Sequence, residues 1–373
     1  MDIVFLLSHI PNPRMNKRID VAKKIGNTAL ISLDRKSYHI WEVQHKDIKN
    51  IIIPMPISTN PLKRVFQISL FAIKALRHLN KFKPKLIYVG NLDMLLIAYI
   101  YSLRSNVKII YEVGDLNKLI IDEPKKTSLK LLRKLLIFIE SKLCKRINYL
   151  VVTSEKFYEM YYSKFIPESK LVFMPNIPDF KAFENYSPKK EGAFTVGFIG
   201  GIRYIKQLKM LVDVAGKLNI NVLIAGAGFN KNEEKELREY CYGRDYVIFT
   251  GRYDYMTDVA NLYQQCDCIY SVYDADLNNV KIALPNKLYE SIYCNLPIIV
   301  SKGTYLAELV EKMGVGVAVN HRNSMELEDV LKKMIVDSNY YNSLVEATYK
   351  YKEDLDIKKY NKKLTDRIQK LIV

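Results

Sequence analysis

Residues 284–300, with the sequence LPNKLYESIYCNLPIIV, decide the fold of the second half of the chain. Proline is tolerated at the start of a helix and disrupts a helix interior, so Pro285 marks the start of a predicted helix. Apolar residues then recur at helical spacing until an apolar run begins at Pro297, which indicates a buried strand. The stretch therefore predicts a helix that leads into a strand, with the carboxylate of Glu290 in the second helical turn.

The same alternation of short apolar runs and helical segments extends along all 373 residues. It is typical of βαβ units, whose strands form parallel sheets. A polar stretch with prolines and a glycine separates two such series. We therefore predict an α/β protein of two Rossmann-like domains, at residues 1–178 and 194–340. A linker at 179–193 would join them, and a C-terminal helical tail at 341–373 would cross back to the first domain.

Cysteine content and hydropathy bear on the compartment. The chain has five cysteines, and Cys266 and Cys268 lie too close together for a zinc or redox motif. Reduced cysteines predict a cytoplasmic protein. Asp2 stands where a secretion signal would be basic, and the longest uncharged apolar run, residues 94–103, is shorter than a membrane span. We therefore expect neither a signal peptide nor a transmembrane helix.

The net charge of +17 is distributed unevenly. Residues 1–190 contain 33 basic and 16 acidic residues, whereas residues 191–373 contain 24 of each sign. A basic half beside a neutral half predicts that one domain faces a polyanion, either anionic lipid or nucleic acid.

Two basic helical segments, 62–85 and 125–146, lie in the first half. A basic amphipathic helix can lie on anionic lipid. Alternatively, its apolar stripe faces the core and its basic side is solvated. The first interpretation predicts a peripheral protein on the inner face of the cell membrane. A nucleic-acid-binding protein is a rival interpretation, although the basic half contains no known nucleic-acid module.

The second series opens with the sequence VGFIGGIRYIK at residues 196–206. A strand, a two-glycine turn and a helix start would let backbone N–H groups approach an anion, with Arg203 and Lys206 supplying charge. The alternative is an ordinary tight turn with solvated basic residues. A later G-x-G step at 226–228 has Lys231 where a dinucleotide fingerprint needs its third glycine, which disfavours NAD binding.

In their joint order, these steps resemble the GT4-like glycosyltransferases, in particular the sub-branch with a PNKLFE motif that builds capsular and cell-surface polysaccharides. The first half contributes YEVGDL at 111–116 and NPRM at 12–15, and the second contributes VIFTGRY at 247–253. The resemblance implies a GT-B fold, in which two Rossmann-like domains face each other across a cleft.

The resemblance also assigns roles to residues of the second half. Arg203 and Lys206 would bind the donor diphosphate, Glu290 the nucleotide ribose, and the turn ending at Tyr253 the base. Backbone groups of Gly201, Asn286 and Lys287 would approach the phosphates. Ile282 stands where many relatives have a first glutamate that contacts the donor sugar, so this contact is unassigned; Asp274, Asp276, Asn278 and Asn279 are weak candidates for it.

Three residues of the first half are candidates for catalysis. Asp115 follows a strand and would orient or deprotonate an acceptor hydroxyl; the alternative is a helix N-cap. His9 and Arg14 lie after the first strand, at the edge that such folds use for binding. For His9, the alternative is a loop histidine bonded to backbone.

We therefore expect a glycosyltransferase that moves a sugar from a nucleotide-diphosphate sugar, UDP-linked, to a lipid-linked glycan, with retention of configuration and without a cofactor or metal. One rival is a nucleotide-sugar 2-epimerase of the same fold, which would convert the donor without an acceptor. The nucleic-acid-binding protein would instead show salt-sensitive binding to nucleic acid.

Overall fold

The chain forms two compact units, Met1–Pro175 with Ile357–Val373, and Asn176–Asp356. The structure is a computed structural model, and it describes residues 1–35, 42–56, 58, 60–189, 191–228 and 231–372.

The first unit is built on a parallel sheet. Its strands are β1 (Ile3–Leu7), β2 (Thr28–Asp34), β3 (Lys49–Pro54), β4 (Leu86–Gly90), β5 (Lys108–Val113), β6 (Tyr149–Val152) and β7 (Leu171–Phe173). Their order is β3-β2-β1-β4-β5-β6-β7. The direction of strand addition therefore reverses between β1 and β4, which is where open α/β sheets bind ligands.

The helices of the first unit pack on this sheet. They are α1 (Pro13–Lys23), α2 (Pro61–Phe82), α3 (Leu92–Ser102), α4 (Lys118–Ile121), α5 (Thr127–Cys144) and α6 (Glu155–Met160). Pro13 occupies the first turn of α1, and the Asn12 side chain accepts a hydrogen bond from the backbone N–H of Met15. This cap fixes where the loop after β1 ends and α1 begins.

The second unit has a six-stranded parallel sheet. Its strands are β8 (Thr195–Ile199), β9 (Asn221–Ala225), β10 (Val247–Gly251), β11 (Cys268–Ser271), β12 (Ile298–Ser301) and β13 (Gly316–Val319). Their order is β10-β9-β8-β11-β12-β13, so the reversal lies between β8 and β11.

Helices also follow these strands in turn. They are α7 (Ile205–Leu218), α8 (Lys231–Cys241), α9 (Tyr255–Gln264), α10 (Asn278–Ile282), α11 (Asn286–Tyr293), α12 (Tyr305–Met313), α13 (Ser324–Val336) and α14 (Ser338–Lys352). The last helix of the chain, α15 (Ile357–Ile372), belongs to the first unit. The prediction of two Rossmann-like α/β domains is confirmed.

The boundaries differ from the predicted ones at two places. The predicted linker, 179–193, lies within the second unit, where Phe180 stacks on Tyr293 with ring centroids 4.1 Å apart. Its aromatic residues thus tie it to α11. The predicted tail, 341–373, divides at Asp356. Helix α14 packs on α11 and α13, and only α15 packs against α1, β4 and β7, with Leu364 and Ile368 buried.

Within the described part of the chain, no helix combines the length and the apolar character that crossing a bilayer requires.

Candidate active site

The candidate donor site of the second unit begins at the glycine turn after β8. Gly200 has a φ of 141°, which side chains rarely adopt, and Gly226 after β9 has the same φ. A Cβ on Gly226 would lie 1.9 Å from the carbonyl oxygen of Gly200, so the two backbones are in contact. Both glycines are therefore required by the packing of two neighbouring turns. Gly201 follows, exposed, at the carboxyl end of β8.

Arg203 and Lys206, the predicted diphosphate cations, flank the start of α7. Both are exposed. Between them, Tyr204 has a left-handed conformation and does not cap α7 with its side chain. The first turn of α7 thus follows the glycine turn directly, and its N–H groups carry the positive end of the helix dipole.

Lys287 is the second residue of α11 and is almost completely buried, with 8% of its surface exposed. Its Nζ points toward the glycine turn, since a Cβ on Gly200 would lie 2.7 Å from it. Nζ donates a 3.1 Å hydrogen bond to the hydroxyl of Tyr273 and lies 4.9 Å from the ring centroid of Phe198. A backbone contact with the phosphates was predicted for this residue; the structure shows that its side chain reaches the glycine turn.

Glu290 lies one turn further along α11, and it is 4% exposed. Its Oε1 accepts a 2.8 Å hydrogen bond from the Tyr255 hydroxyl, and its Oε2 a 2.6 Å bond from the Tyr263 hydroxyl. Both tyrosines belong to α9, so the carboxylate is fixed between two helices. Each carboxylate oxygen can accept a further hydrogen bond, which suits a pair of vicinal hydroxyls.

The remaining predicted donor residues lie near this carboxylate or on its helix. Tyr253 follows β10, and burial together with the charge of Glu290 raises the pKa of its hydroxyl. Asn286, half-buried, opens α11, which has no side-chain cap. Ile282, at the position of the missing glutamate, is buried in α10.

An acidic loop follows β11. His321 Nε2 lies 3.3 Å from Asp274 Oδ1 and 3.9 Å from Asp276 Oδ1, and Arg322 pairs with Asp276. Ligand atoms of the two aspartates and His321 all lie within 4.8 Å of one another. Two of the four candidates for donor-sugar recognition, Asp274 and Asp276, thus lie beside a histidine that was not predicted, because it lies beyond β13. The other two, Asn278 and Asn279, begin α10.

In the first unit, Arg14 is held at the carboxyl end of β5. Its Nε lies 3.1 Å from Oε1 of the buried Glu112, an ion pair without the angle of a hydrogen bond. Its guanidinium covers Gly114, where a Cβ would be 1.8 Å from Nη1. Only a glycine leaves room for Arg14 in this position, one residue from Asp115, which is exposed.

Glu112 is the anchor of this arrangement. It also accepts hydrogen bonds from Arg18 Nε, at 3.2 Å, and from the Tyr88 hydroxyl. Burial would raise the pKa of Glu112, but the charges of Arg18 and Arg14 hold it below its usual value. Its carboxylate is therefore ionised. Arg14 and Arg18 are four residues apart on one helical face, and this spacing could have indicated a buried carboxylate between them.

His9 lies half-buried in the loop after β1. Its burial, with the charges of Arg35 and Arg14, lowers its pKa to about 4. Its Nε2 lies 3.4 Å from Nδ2 of Asn12, whose Oδ1 caps α1. An amide NH₂ donates, so this network assigns the proton of the neutral ring to Nδ1. The structure therefore brings His9 and Arg14 into one electrostatic environment.

Comparisons with known proteins show what the chain is similar to. Residues 179–351 match the family described as glycosyl transferases group 1. The chain is 24% identical over 265 residues to the succinoglycan biosynthesis protein ExoL of Rhizobium meliloti, an alignment that covers 67% of this chain and 64% of that protein.

Two solved structures show the same fold over nearly the whole chain. Sucrose-phosphate synthase of Thermosynechococcus elongatus superposes with a TM-score of 0.76 at 13% identity, over 100% of this chain and 99% of that one. HepE of Anabaena, solved with UDP, gives 0.73 at 16% identity, over 98% and 99%. Residues 179–351 are therefore similar to the glycosyl transferases group 1 family, and the chain has the GT-B fold of these solved structures.

Proposed function

We propose that this protein is a glycosyltransferase, which transfers a sugar from a UDP-linked donor to a lipid-linked glycan in the synthesis of a bacterial-type cell-surface polysaccharide. The proposal of a UDP-linked donor rests on the buried carboxylate of Glu290, which two tyrosine hydroxyls hold in place. This carboxylate lies one helical turn from Lys287, next to the strand reversal of the second sheet.

A nucleoside diphosphate matches the chemistry of this arrangement. Vicinal ribose hydroxyls donate to a carboxylate, while phosphate oxygens accept from N–H groups at a glycine turn and a helix start. Tyr253, close to Glu290, supplies an aromatic surface for the base. HepE has been solved with UDP and with UDP-glucose, which supports UDP as the carrier.

The name of the curated relative supports a polysaccharide product, and the surface of the first unit supports a lipid-linked acceptor. Helices α2 and α5 each expose an apolar stripe at i, i+4 and i+7, as does α3 together with Leu103, the residue that follows it. Helix α3 contacts both of the others. We call these nine residues the α2–α3–α5 face: Phe66, Leu70, Ile73, Leu96, Ile100, Leu103, Leu131, Leu135 and Phe138.

The exposure of this face supports the interpretation in which the basic helices lie on lipid. Leu131 is 71% exposed, Phe66 64% and Phe138 58%, so these stripes do not face the core. Exposed lysines stand beside these residues along α2 and α5: Lys63, Lys74, Lys130 and Lys134. An apolar face with a basic rim is complementary to an anionic membrane surface, and we propose that the protein binds the inner face of the membrane there.

For the reaction, we propose retention of configuration without a metal ion. Asp115 would orient or deprotonate the acceptor hydroxyl, and Arg14 would bind the acceptor beside it. Fixed positive groups of the second unit would stabilise the departing diphosphate in place of a metal. The neutral ring of His9 would contribute a hydrogen bond from Nδ1.

The experiment is a transfer assay with radiolabelled UDP-sugars and polyprenyl-diphosphate glycans in detergent, with EDTA present. Label should pass into the lipid fraction, and Glu290→Ala should reduce this transfer at least 10-fold. A control without acceptor addresses the epimerase: a new UDP-sugar isomer in that tube, with no labelled lipid, would overturn the proposed reaction. Salt-sensitive binding to nucleic acid, without sugar transfer, would instead indicate a nucleic-acid-binding protein.

A further inference from the structure

The burial of Lys287 calls for an explanation that the fold alone does not provide. An ammonium group that leaves water loses its hydration, so buried lysines are normally paired with a carboxylate. Among the residues that the structure describes, no carboxylate lies within ion-pair distance of Lys287. Its contacts are neutral: the hydroxyl of Tyr273, at 3.1 Å, and the rings of Phe198 and Tyr273, with centroids at 4.9 and 5.7 Å.

The surroundings of Nζ hold it in place for an anion. Tyr273 is fixed by Ser301, whose hydroxyl bonds both its backbone N–H and its carbonyl at 2.7 Å. The Tyr204 ring lies on Tyr273, with centroids 5.0 Å apart. Aromatic faces and one hydroxyl compensate a positive charge in part. The remaining charge is directed at Gly200, where the missing side chain leaves room beside Nζ.

We propose that the Lys287 ammonium, and not Arg203 or Lys206, is the principal diphosphate-binding cation of this chain. This inference rests on the proposed function, because it takes the ligand to be a nucleoside diphosphate. The phosphates approach over Gly200, between Nζ and the first turn of α7. Arg203 and Lys206 are exposed, so their charges are screened by solvent, whereas a charge in a buried site interacts more strongly.

The position of Glu290 on the same helix determines which part of the nucleotide each residue binds. Residues three apart lie on one helical face, with Cβ atoms about 5–6 Å apart. Lys287 faces the glycine turn and Glu290 faces α9. A ribose bound at Glu290 therefore presents its phosphates toward Lys287, which would make one helix bind both parts of the ligand.

The test compares Lys287→Met with Arg203→Met and Lys206→Met in the full chain, by calorimetric titration with UDP and with uridine. Lys287→Met should weaken UDP binding roughly 10- to 100-fold and leave uridine binding unchanged, because a hydrogen bond to a charged group is lost. The two control variants should weaken UDP binding by no more than about threefold. Lys287→Gln, which retains a polar group near Tyr273, should behave like the methionine variant.

Thermal stability separates this role from a merely structural one. Without nucleotide, Lys287→Met should melt at a higher temperature than the wild type, because an unpaired buried charge is replaced by an apolar chain of similar length. The inference is overturned if Lys287→Met keeps the wild-type ratio of UDP to uridine affinity, or if only the control variants change it. If the wild type itself binds no UDP, the proposed donor is wrong and this inference falls with it.

Discussion

The hydroxyl of Tyr263 donates a 2.6 Å hydrogen bond to Oε2 of Glu290, and this bond joins α9 to α11. Both side chains are buried. With Tyr255 on the other carboxylate oxygen, the direction of the carboxylate is set before any ligand arrives. Tyr263 is therefore a positioning residue for the ribose contact that we propose for Glu290.

Tyr263→Phe tests this relationship. The variant leaves one oxygen of a buried carboxylate without its partner, so the free energy of unfolding should fall by about 1.5–3 kcal/mol. Because Glu290 loses its fixed direction, the protein should also lose part of its proposed preference for UDP over 2′-deoxy-UDP, as measured by titration. Glu290→Gln should lose this preference more completely.

Tyr341→Phe is the matched control. Tyr341 donates a 2.8 Å hydrogen bond to the carbonyl of Asp267, which precedes β11 and so lies at the opposite edge of the same sheet. This variant should lose stability and keep the preference for UDP. A Tyr263→Phe protein that discriminates the two nucleotides as well as the wild type would exclude the positioning role.

The parts of this site that were predictable from sequence are those that depend on local pattern. Glycines after β8, the helix start at Asn286 and the carboxylate of Glu290 follow from the order of strands and helices and from the resemblance of the motifs. Their places at the carboxyl edge of a parallel sheet follow from topology.

What the sequence did not predict depends on contacts between distant segments. The Lys287 side chain reaches Gly200, at the end of a strand much earlier in the chain. The partners of Glu290 lie on α9, roughly 30 residues earlier. Glu112 could not be distinguished from Asp115 as the important acid of its strand end, because burial depends on the neighbouring strands. Phe180 and Phe183, in the predicted linker, pack on aromatic residues of the second unit. Two phenylalanines in a polar stretch could have indicated this packing from sequence.

Gly114→Ala should displace the Arg14 side chain and so reduce sugar transfer, with little effect on the stability of the first unit. A Cβ at this glycine would clash with the Arg14 guanidinium, which is the mobile end of a side chain and can shift away. We therefore expect the melting temperature to fall by only a few degrees, while the rate of sugar transfer falls at least 10-fold.

Gly90→Ala provides the comparison for this prediction. Gly90 ends the neighbouring strand β4, and a Cβ there would lie 3.1 Å from the flexible Cε of Met15. This variant should change both the melting temperature and the transfer rate little. Equal loss of sugar transfer in Gly114→Ala and Gly90→Ala would show that displacement of Arg14 does not cause the loss.

His9 should make the stability of the first unit depend on pH. Its pKa falls from 6.5 in the unfolded chain to about 4 in the folded protein. Between these values the unfolded state binds a proton that the folded state does not, so stability falls as the pH is lowered from 6.5 toward 4. The loss is at most about 3 kcal/mol. Urea unfolding at pH 7 and pH 4.5 measures it.

His9→Gln removes the titrating group and should reduce the difference in unfolding free energy between these two pH values. Other groups contribute equally to both proteins, so the comparison isolates His9. An identical pH dependence in the wild type and the variant would show that His9 is protonated in the folded protein at its ordinary pKa.

The α2–α3–α5 face predicts membrane binding that persists at high salt. Basic residues attract the protein to anionic lipid, and this attraction is screened within about 8 Å at physiological ionic strength. Burial of apolar side chains is not screened and contributes about 25 cal/mol per Å². Flotation with vesicles of phosphatidylcholine and phosphatidylglycerol, at 0.1 and 1 M NaCl, separates the two contributions.

The test is one variant with three exposed side chains of α5 changed: Leu131→Gln, Leu135→Gln and Phe138→Ser. This variant should lose the vesicle binding that remains at 1 M NaCl. It should bind UDP as the wild type does, because these residues lie in the unit that does not contain the proposed donor site. A variant with Met325, Ile335 and Val336 changed to serine, exposed residues of the second unit, should still float with the vesicles. A wild-type dimer that the α5 variant converts to a monomer, without vesicle binding by either, would show that a second copy of the chain covers this face instead.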